Sequence, residues 1–267
     1  MQIDEVVPRV TTTIENHIAH VRMTRPEKMN AIDIAMFEAL VSAGEALAQN
    51  DEIRAVVLSG DGRGFCAGID VSVLGGGSSK IQDITLRTHG DCNVFQRAVM
   101  VWHDLKIPVI AAVHGVAYGG GFQIALGADI RFVHPDAKLS IMEIKWGICP
   151  DMGGTYLMTK LARDDVVRDL TYSGRIFSGT DAKEFGFATH LSADPLSSAM
   201  NLANEIASKS PSAIMACKSL ISASHSNSRQ EQLYFEARQQ QELLKGVHHR
   251  EAVMAGIANK TPVFSRL

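Results

Sequence analysis

Cysteine is scarce. The four present in 267 residues, Cys66, Cys92, Cys149 and Cys217, are widely spaced and form no Cys-x-x-Cys pair. That excludes a disulfide framework and a structural zinc site. Reduced thiols packed as small hydrophobes are expected instead, and with them a reducing, cytoplasmic location. Excess positive charge is lacking too: 26 Lys and Arg stand against 29 Asp and Glu, a net charge of −3. Such a chain offers nucleic acid no electrostatic footprint. No apolar run reaches the roughly 20 residues that a membrane-spanning helix needs, so no membrane partner is expected. Met1 to Arg9 carries Asp4 and Glu5 and no apolar core, so no signal peptide is expected. The closing Ser265-Arg266-Leu267 differs by one basic swap from a Ser-Lys-Leu peroxisomal address, which makes peroxisomal the alternative location. A three-residue match arises readily by chance. Three ligand signatures are missing as well. Phe65 fills the third glycine position of a G-x-G-x-x-G loop, no Gly-Lys-Ser/Thr occurs, and His248-His249 with Glu251 lacks His-Glu-x-x-His spacing. The two histidines read as part of a surface helix, and no metal is expected.

What is present is an ordinary globular composition, 46% hydrophobic and 21% charged, long enough for one or two domains. Val10 to Thr24 reads as a hairpin turning at Glu15-Asn16-His17. Asp33 to Gln49 has a helical apolar period. Ala55 to Ser59, Pro108 to Val113 and Asp129 to Val133 are short apolar runs suited to buried strands. Ile69 to Lys80 is loop-like, with Gly75-Gly76-Gly77-Ser78-Ser79 inside it. This alternation argues α/β. From Pro195 onward the pattern is helical. Asp194-Pro195 and Ser210-Pro211 are helix starts, Ser228 to Glu231 a capping box, and Gly246 a stop. Leu233, Ala237 and Leu244 fall on one face of the helix between them, and a last helix runs from His249 to about Ala258. The expected division is residues 1–194 as an α/β core and 195–267 as a helical region.

The chemistry gathers in two glycine-rich turns and one acidic segment. Gly62 to Asp70 follows the strand Ala55 to Ser59; read alone, it is compatible with a plain tight turn. His114 to Gln123 follows the next strand, and its Gly119-Gly120-Gly121 opens a helix with bare backbone. Unpaired N–H groups there suit negative charge developing on a substrate oxygen. Glu143 and Asp151 lie eight positions apart among apolar residues, where a carboxyl is held protonated to higher pH and suits acid–base work. Each also admits a surface or capping role. Trp102 and Trp146 read as core or pocket wall, Met152 and Met158 as adaptable apolar lining.

These residues resemble the crotonase, or enoyl-CoA hydratase/isomerase, family. The matching pieces are Arg25-Pro26-Glu27-Lys28-Met29-Asn30-Ala31, Phe65-Cys66-Ala67-Gly68-Ile69-Asp70 and His114 to Gly121, extended by Tyr172 to Arg175, Ala182 and Gly186. They run in order over nearly the whole chain. The resemblance implies a crotonase-like spiral of ββα turns with a C-terminal helical trimerisation region, assembled as a homotrimer or dimer of trimers. It implies an acyl-CoA thioester as substrate, with coenzyme A part of that substrate and no other cofactor. It implies backbone donors at Ile69 and Gly120 for an enolate-like oxyanion. Substrate contacts are implied at Lys28, Ala67, Gly68, Asp70 and Gln123, with Lys28 beside the CoA. The segment Lys80 to Trp102 would form the acyl pocket, and Lys260 to Phe264 resembles a stretch that can reach CoA.

A hydratase of this family resembles a two-glutamate machine. Here the second position matches Glu143, but the first is Gln123, and an amide is no general base. Three reactions stay open. Glu143 alone moves a proton between the α- and γ-carbons; Asp151 joins it, as in dienoyl-CoA isomerases, which carry carboxylates matching Glu143 and Asp151 but also an acidic residue where Gln123 stands, a match of two in three; or Gln123 orients water for a slow hydratase. An aspartate matching Asp151 also occurs in chlorobenzoyl-CoA dehalogenases, which have tryptophan where Glu143 stands. A non-catalytic acyl-CoA binder is the alternative from another class. The expected function is a double-bond shift with Glu143 and Asp151 as the catalytic carboxylates.

Overall fold

The computed structural model describes residues 8–74 and 83–266. The glycine run 75–77, the rest of 75–82, residues 1–7 and the last position of the closing tripeptide lie outside the described residues. The chain alternates strand and helix as expected. Strands β1 (Val10–Glu15) and β2 (Ile18–Met23) form the hairpin, and Asn16 and His17 turn it in the left-handed region. Helix α1 (Ile34–Ala48) begins where the Asp33 side chain accepts from Met36 N. Strand β3 (Ala55–Gly60) leads to the short helix α2 (Val71–Leu74), and then α3 (Val94–Asp104) starts with a capping box at Asn93 and Gln96. There follow β4 (Val109–Val113), β5 (Val116–Tyr118), α4 (Gly120–Leu126), β6 (Ile130–Val133) and β7 (Lys138–Ser140). Helices α5 (Gly154–Leu161) and α6 (Asp164–Ser173), strand β8 (Phe177–Ser178), helix α7 (Gly179–Phe185) and strand β9 (His190–Leu191) complete the α/β part. The chain then runs through α8 (Pro195–Ala207), α9 (Pro211–Ala223), α10 (Arg229–Lys245) and α11 (Val247–Ile257), with caps at Asp194, Ser210 and Ser228.

Six strands form one sheet in the order β1-β2-β3-β4-β6-β9, parallel except at the β1–β2 hairpin. A second sheet has the order β5-β7-β8. The apolar runs at β3 and β4 are buried on both faces, which is why they show no alternation of polar residues. Their period of two still sorts the faces. Val56, Leu58, Val109 and Ala111 meet Leu40, Val99 and Trp102 in the main core. Ala55, Val57, Ile110 and Ala112 meet Ala199, Ala203 and Ala207 of α8. The expected boundary at 194/195 thus falls at the cap of a helix that itself covers the sheet. Beyond it, α10 buries no residue, and Leu233, Ala237 and Leu244 are exposed in the single chain.

One surface reading is corrected. His248 is buried, with Nδ1 against Ser212 Oγ and Nε2 against Ser265 Oγ, its ring edge-on to Phe264. The C-terminal segment folds back over α11 and covers it, a long-range contact with no local sequence signal.

Candidate active site

Strands β3 and β4 are neighbours in register, so the turns that leave their C-terminal ends meet. Backbone bonds lace the turns together. Phe65 N donates to His114 O, Cys66 N to Val116 O, and Tyr118 N to Cys66 O. The approach is closer than a side chain allows. Gly68 has φ +89°, and a Cβ there would lie 2.5 Å from Tyr118 O; at Gly121 it would lie 2.4 Å from Cys66 O. The same construction at Gly68 falls 3.7 Å from Gly120 N, so Ile69 and Gly120 present their backbone side by side.

Neither the Ile69 nor the Gly120 N–H has a protein acceptor among the described residues. For Gly120 the reason is its place as first residue of α4. For Ile69 it is strand geometry. Ile32 N donates to Gly68 O and Asp70 N donates to Ile32 O, so the peptide groups on either side of Ile69 face Ile32. The N–H of Ile69 then faces the opposite way.

Glu143 lies on a 3-10 turn, Glu143–Trp146, and is only 5% exposed. Its Oε1 accepts a hydrogen bond of 2.6 Å from Gln123 Nε2. Its Oε2 is buried and has no hydrogen-bond partner among the described residues. Gly119 packs against this carboxyl: a Cβ there would sit 3.3 Å from Oε1. Burial raises the Glu143 carboxyl above the ordinary carboxylate range, and repulsion from Asp151 adds to the rise. Burial raises Asp151 as well. By contrast, burial pushes the Cys66 thiol up to about 12, which removes it as a nucleophile at neutral pH.

A cavity of about 110 Å³ joins the two turns to Glu143, lined by Ala67, Gly68, Ile69, Gly119, Gly120 and Glu143, with Tyr118, Trp146 and Ile148 at its sides; Asp151 is not among its lining residues. Three larger cavities, about 810, 420 and 250 Å³, lie elsewhere and hold neither Glu143 nor Asp151. Chemistry rather than size singles out the small one. Among the described residues no cluster of three or more His, Cys, Asp or Glu could hold a metal ion.

Three expected substrate contacts are placed as follows. Lys28 is exposed on the 3-10 turn Pro26–Lys28. Gln123 is 1% exposed, its Oε1 accepts from Met152 N and Gly154 N, and its amide faces Glu143 rather than the cavity. Asp70 is turned from the cavity as well, bonded to Arg25 and Ser72. The described part of Lys80 to Trp102 contributes nothing to the cavity lining; Trp102 is core, and the wall comes from Trp146 and Ile148. Sequence reading missed Ile148 and Tyr118, although Trp146 and Ile148 in an acidic-apolar segment flag an exposed apolar surface beside a glutamate. Asn30 was also passed over. Fully buried, its Nδ2 donates to Asp61 O, Gly64 O and Phe65 O and so holds the first turn.

The family model for enoyl-CoA hydratase/isomerase matches residues 13–266. The chain is 30% identical over 271 residues to the mitochondrial Delta(3,5)-Delta(2,4)-dienoyl-CoA isomerase of Mus musculus, covering 96% of this chain and 82% of that protein. It is 29% identical over 259 residues to the 1,2-epoxyphenylacetyl-CoA isomerase of Escherichia coli, covering 96% and 98%. The solved enoyl-CoA hydratase of Bacillus anthracis superposes with a TM-score of 0.87 at 25% identity, covering 96% of this chain and 98% of that one. With two interlocked turns, a buried glutamate beside them and a match over nearly its whole length, the chain belongs to the enoyl-CoA hydratase/isomerase family, which acts on acyl-CoA thioesters.

Proposed function

We propose that the protein shifts a carbon–carbon double bond in an acyl-CoA thioester, with Glu143 as the acid–base group. The observation that carries this is the state of the Glu143 carboxyl: one oxygen is fixed by Gln123, the other is buried and has no partner among the described residues, and the residue itself lines the cavity. A carboxyl raised by burial is a stronger base when ionised and can both take and return a proton. Glu143 Oε2 takes the proton from the α-carbon. The electron pair left behind spreads onto the thioester oxygen, which the Ile69 and Gly120 N–H groups stabilise; one such donor is typically worth about 3 kcal/mol in the transition state. The proton is then delivered to the γ-carbon, and the double bond moves. One proton leaves and one arrives, no water is consumed, and no group beyond protein and thioester is needed. Asp151, raised like Glu143, serves as a second proton carrier when the substrate is a diene. Lys28 meets the CoA, while Ala67 and Gly68 line the passage to the thioester.

Gln123 argues for isomerisation over hydration. Its oxygen is occupied by two backbone donors and cannot also activate water. A panel of enoyl-, dienoyl- and hydroxyacyl-CoA thioesters, followed by mass and absorbance, tests the reading. Isomerisation changes absorbance at constant mass; gain of one water makes the protein a hydratase, and binding with neither change makes it a non-catalytic binder. The proposal includes a trimer or dimer of trimers, supported by apolar Leu233, Tyr234, Met254 and Ile257 exposed on α10 and α11. It also includes a cytoplasmic location, supported by the free, exposed thiols of Cys149 and Cys217.

A further inference from the structure

Behind Ile69, on the side away from the cavity, lies a charged pair with no part in the chemistry above. Arg25 Nη1 donates to Asp70 Oδ2 at 2.7 Å and to Ala31 O at 2.8 Å. The two side chains are only 12% and 15% exposed. The second Asp70 oxygen accepts from Ser72 N and Ser72 Oγ. Arg25 is held in turn, because its N–H donates to Asn30 Oδ1 and its carbonyl accepts from Asn30 N. Neither Arg25 nor Asp70 lines the cavity beside Glu143.

The connection to the reacting centre runs through one bridge. Ile69 is held by two backbone bonds to Ile32, Ile32 N to Gly68 O at 2.8 Å and Asp70 N to Ile32 O at 3.0 Å. The segment that carries Ile32 is anchored by the Arg25 bond to Ala31 O, and the turn that carries Ile69 by the Arg25 bond to Asp70. One guanidinium therefore fastens both sides of the bridge that turns the Ile69 N–H toward the cavity. We propose that Arg25 and Asp70 are positioning residues for the Ile69 oxyanion donor, holding its N–H in line with the substrate thioester oxygen without touching substrate.

A donor displaced by about 1 Å can cost on the order of a hundredfold in rate, while substrate binding, made largely elsewhere, is retained. The inference rests on the reading of Ile69 and Gly120 as oxyanion donors. The test uses Arg25→Met, Asp70→Asn, the double variant and Arg25→Lys, in two measurements. The first is kcat and KM on the best substrate of the panel. The expected result is a kcat loss of about 10- to 100-fold with KM changed less than about threefold. The double variant should be no worse than the poorer single one, because both remove the same link. Arg25→Lys, which keeps a charge opposite Asp70, secures the fold and recovers part of kcat.

The second measurement is the infrared carbonyl frequency of a bound saturated acyl-CoA labelled with ¹³C at the thioester carbon. In the wild type the band should move to lower frequency on binding, and in Arg25→Met and Asp70→Asn it should move less. A full wild-type shift that persists in both variants, or a loss confined to KM, overturns the positioning role alone. A wild-type carbonyl that does not shift at all overturns the oxyanion reading and the inference with it.

Discussion

The Gln123 amide donates to Glu143 Oε1 at 2.6 Å, and the direction of that bond is fixed from behind. Gln123 Oε1 accepts from Met152 N and Gly154 N at 3.0 and 2.9 Å, so the amide cannot turn round without leaving two backbone donors unpaired. The pair sits on α4 and on the turn after β7, and the segment that follows Asp151 holds it in place. The amide thus restrains one oxygen of Glu143 and leaves the other for the proton.

Replacing Gln123 by leucine should therefore act twice. Two buried N–H groups lose their acceptor, which costs about 1–3 kcal/mol each, and Glu143 loses its restraint. A fall of several degrees in melting temperature together with a lower kcat is expected, read by thermal unfolding and steady-state kinetics. Gln123→Glu keeps the acceptor but sets a second carboxyl against Glu143. Two such groups share a proton, so the low-pH limb of the rate profile should move upward in pH.

Asp151→Asn makes the opposite prediction. Repulsion from Asp151 contributes to the raised Glu143 carboxyl, after burial. As a base Glu143 works ionised, so the rate falls as the pH drops through its pKa. Removing the negative neighbour should move that limb to lower pH. On dienoyl substrates the variant should also lose rate if Asp151 carries the second proton, and on simple enoyl substrates it should not.

Glu143→Gln should also change stability with pH. The Glu143 carboxyl is raised above its unfolded value of 4.5, so between 4.5 and the folded value the folded state holds a proton that the unfolded state has released. Its contribution to stability is intact below 4.5 and is lost as pH rises through the folded value. At neutral pH the Glu143→Gln variant should thus melt at a higher temperature than the wild type, with the gap closing below pH 4.5. Asp70 behaves in the reverse sense. The Ser72 N–H, followed by Arg25 and the Ser72 hydroxyl, holds its carboxyl down at about 2, so its contribution is present above 3.8 and is lost as pH falls through about 2.

Gly68→Ala tests the apposition of the two turns. A methyl group there meets Tyr118 O at 2.5 Å in a backbone conformation that alanine rarely adopts. A stability loss on the order of 1–3 kcal/mol is expected, with activity reduced further because the Ile69 and Gly120 donors move apart.

Much of this was legible in the chain before its fold was known. The Glu15-Asn16-His17 turn, the helical period from Asp33, the buried runs at 55–59 and 108–113 and the starts at Asp194, Ser210 and Ser228 are local, and local signals survive folding. The two glycine-rich turns were visible as close backbone approaches, although not what each glycine approaches. What could not be read is what depends on contacts distant in sequence. Asp70 reads as a pocket residue because it follows Ile69, yet Arg25, 45 positions earlier, claims its carboxylate. Gln123 reads as a substrate contact because it follows the triple glycine, yet the chain 29 to 31 positions later turns its amide inward. His248 reads as surface until the C-terminal segment folds over it.

The most direct test of the central claim is Glu143→Gln with the substrate on which the wild type moves a double bond, in deuterated water. The account predicts that the variant still binds the thioester. It also predicts a loss of kcat of about 10²- to 10⁴-fold and an equal loss of deuterium incorporation at the α- and γ-carbons. Full turnover by the Glu143→Gln variant, or undiminished deuterium exchange, would contradict it.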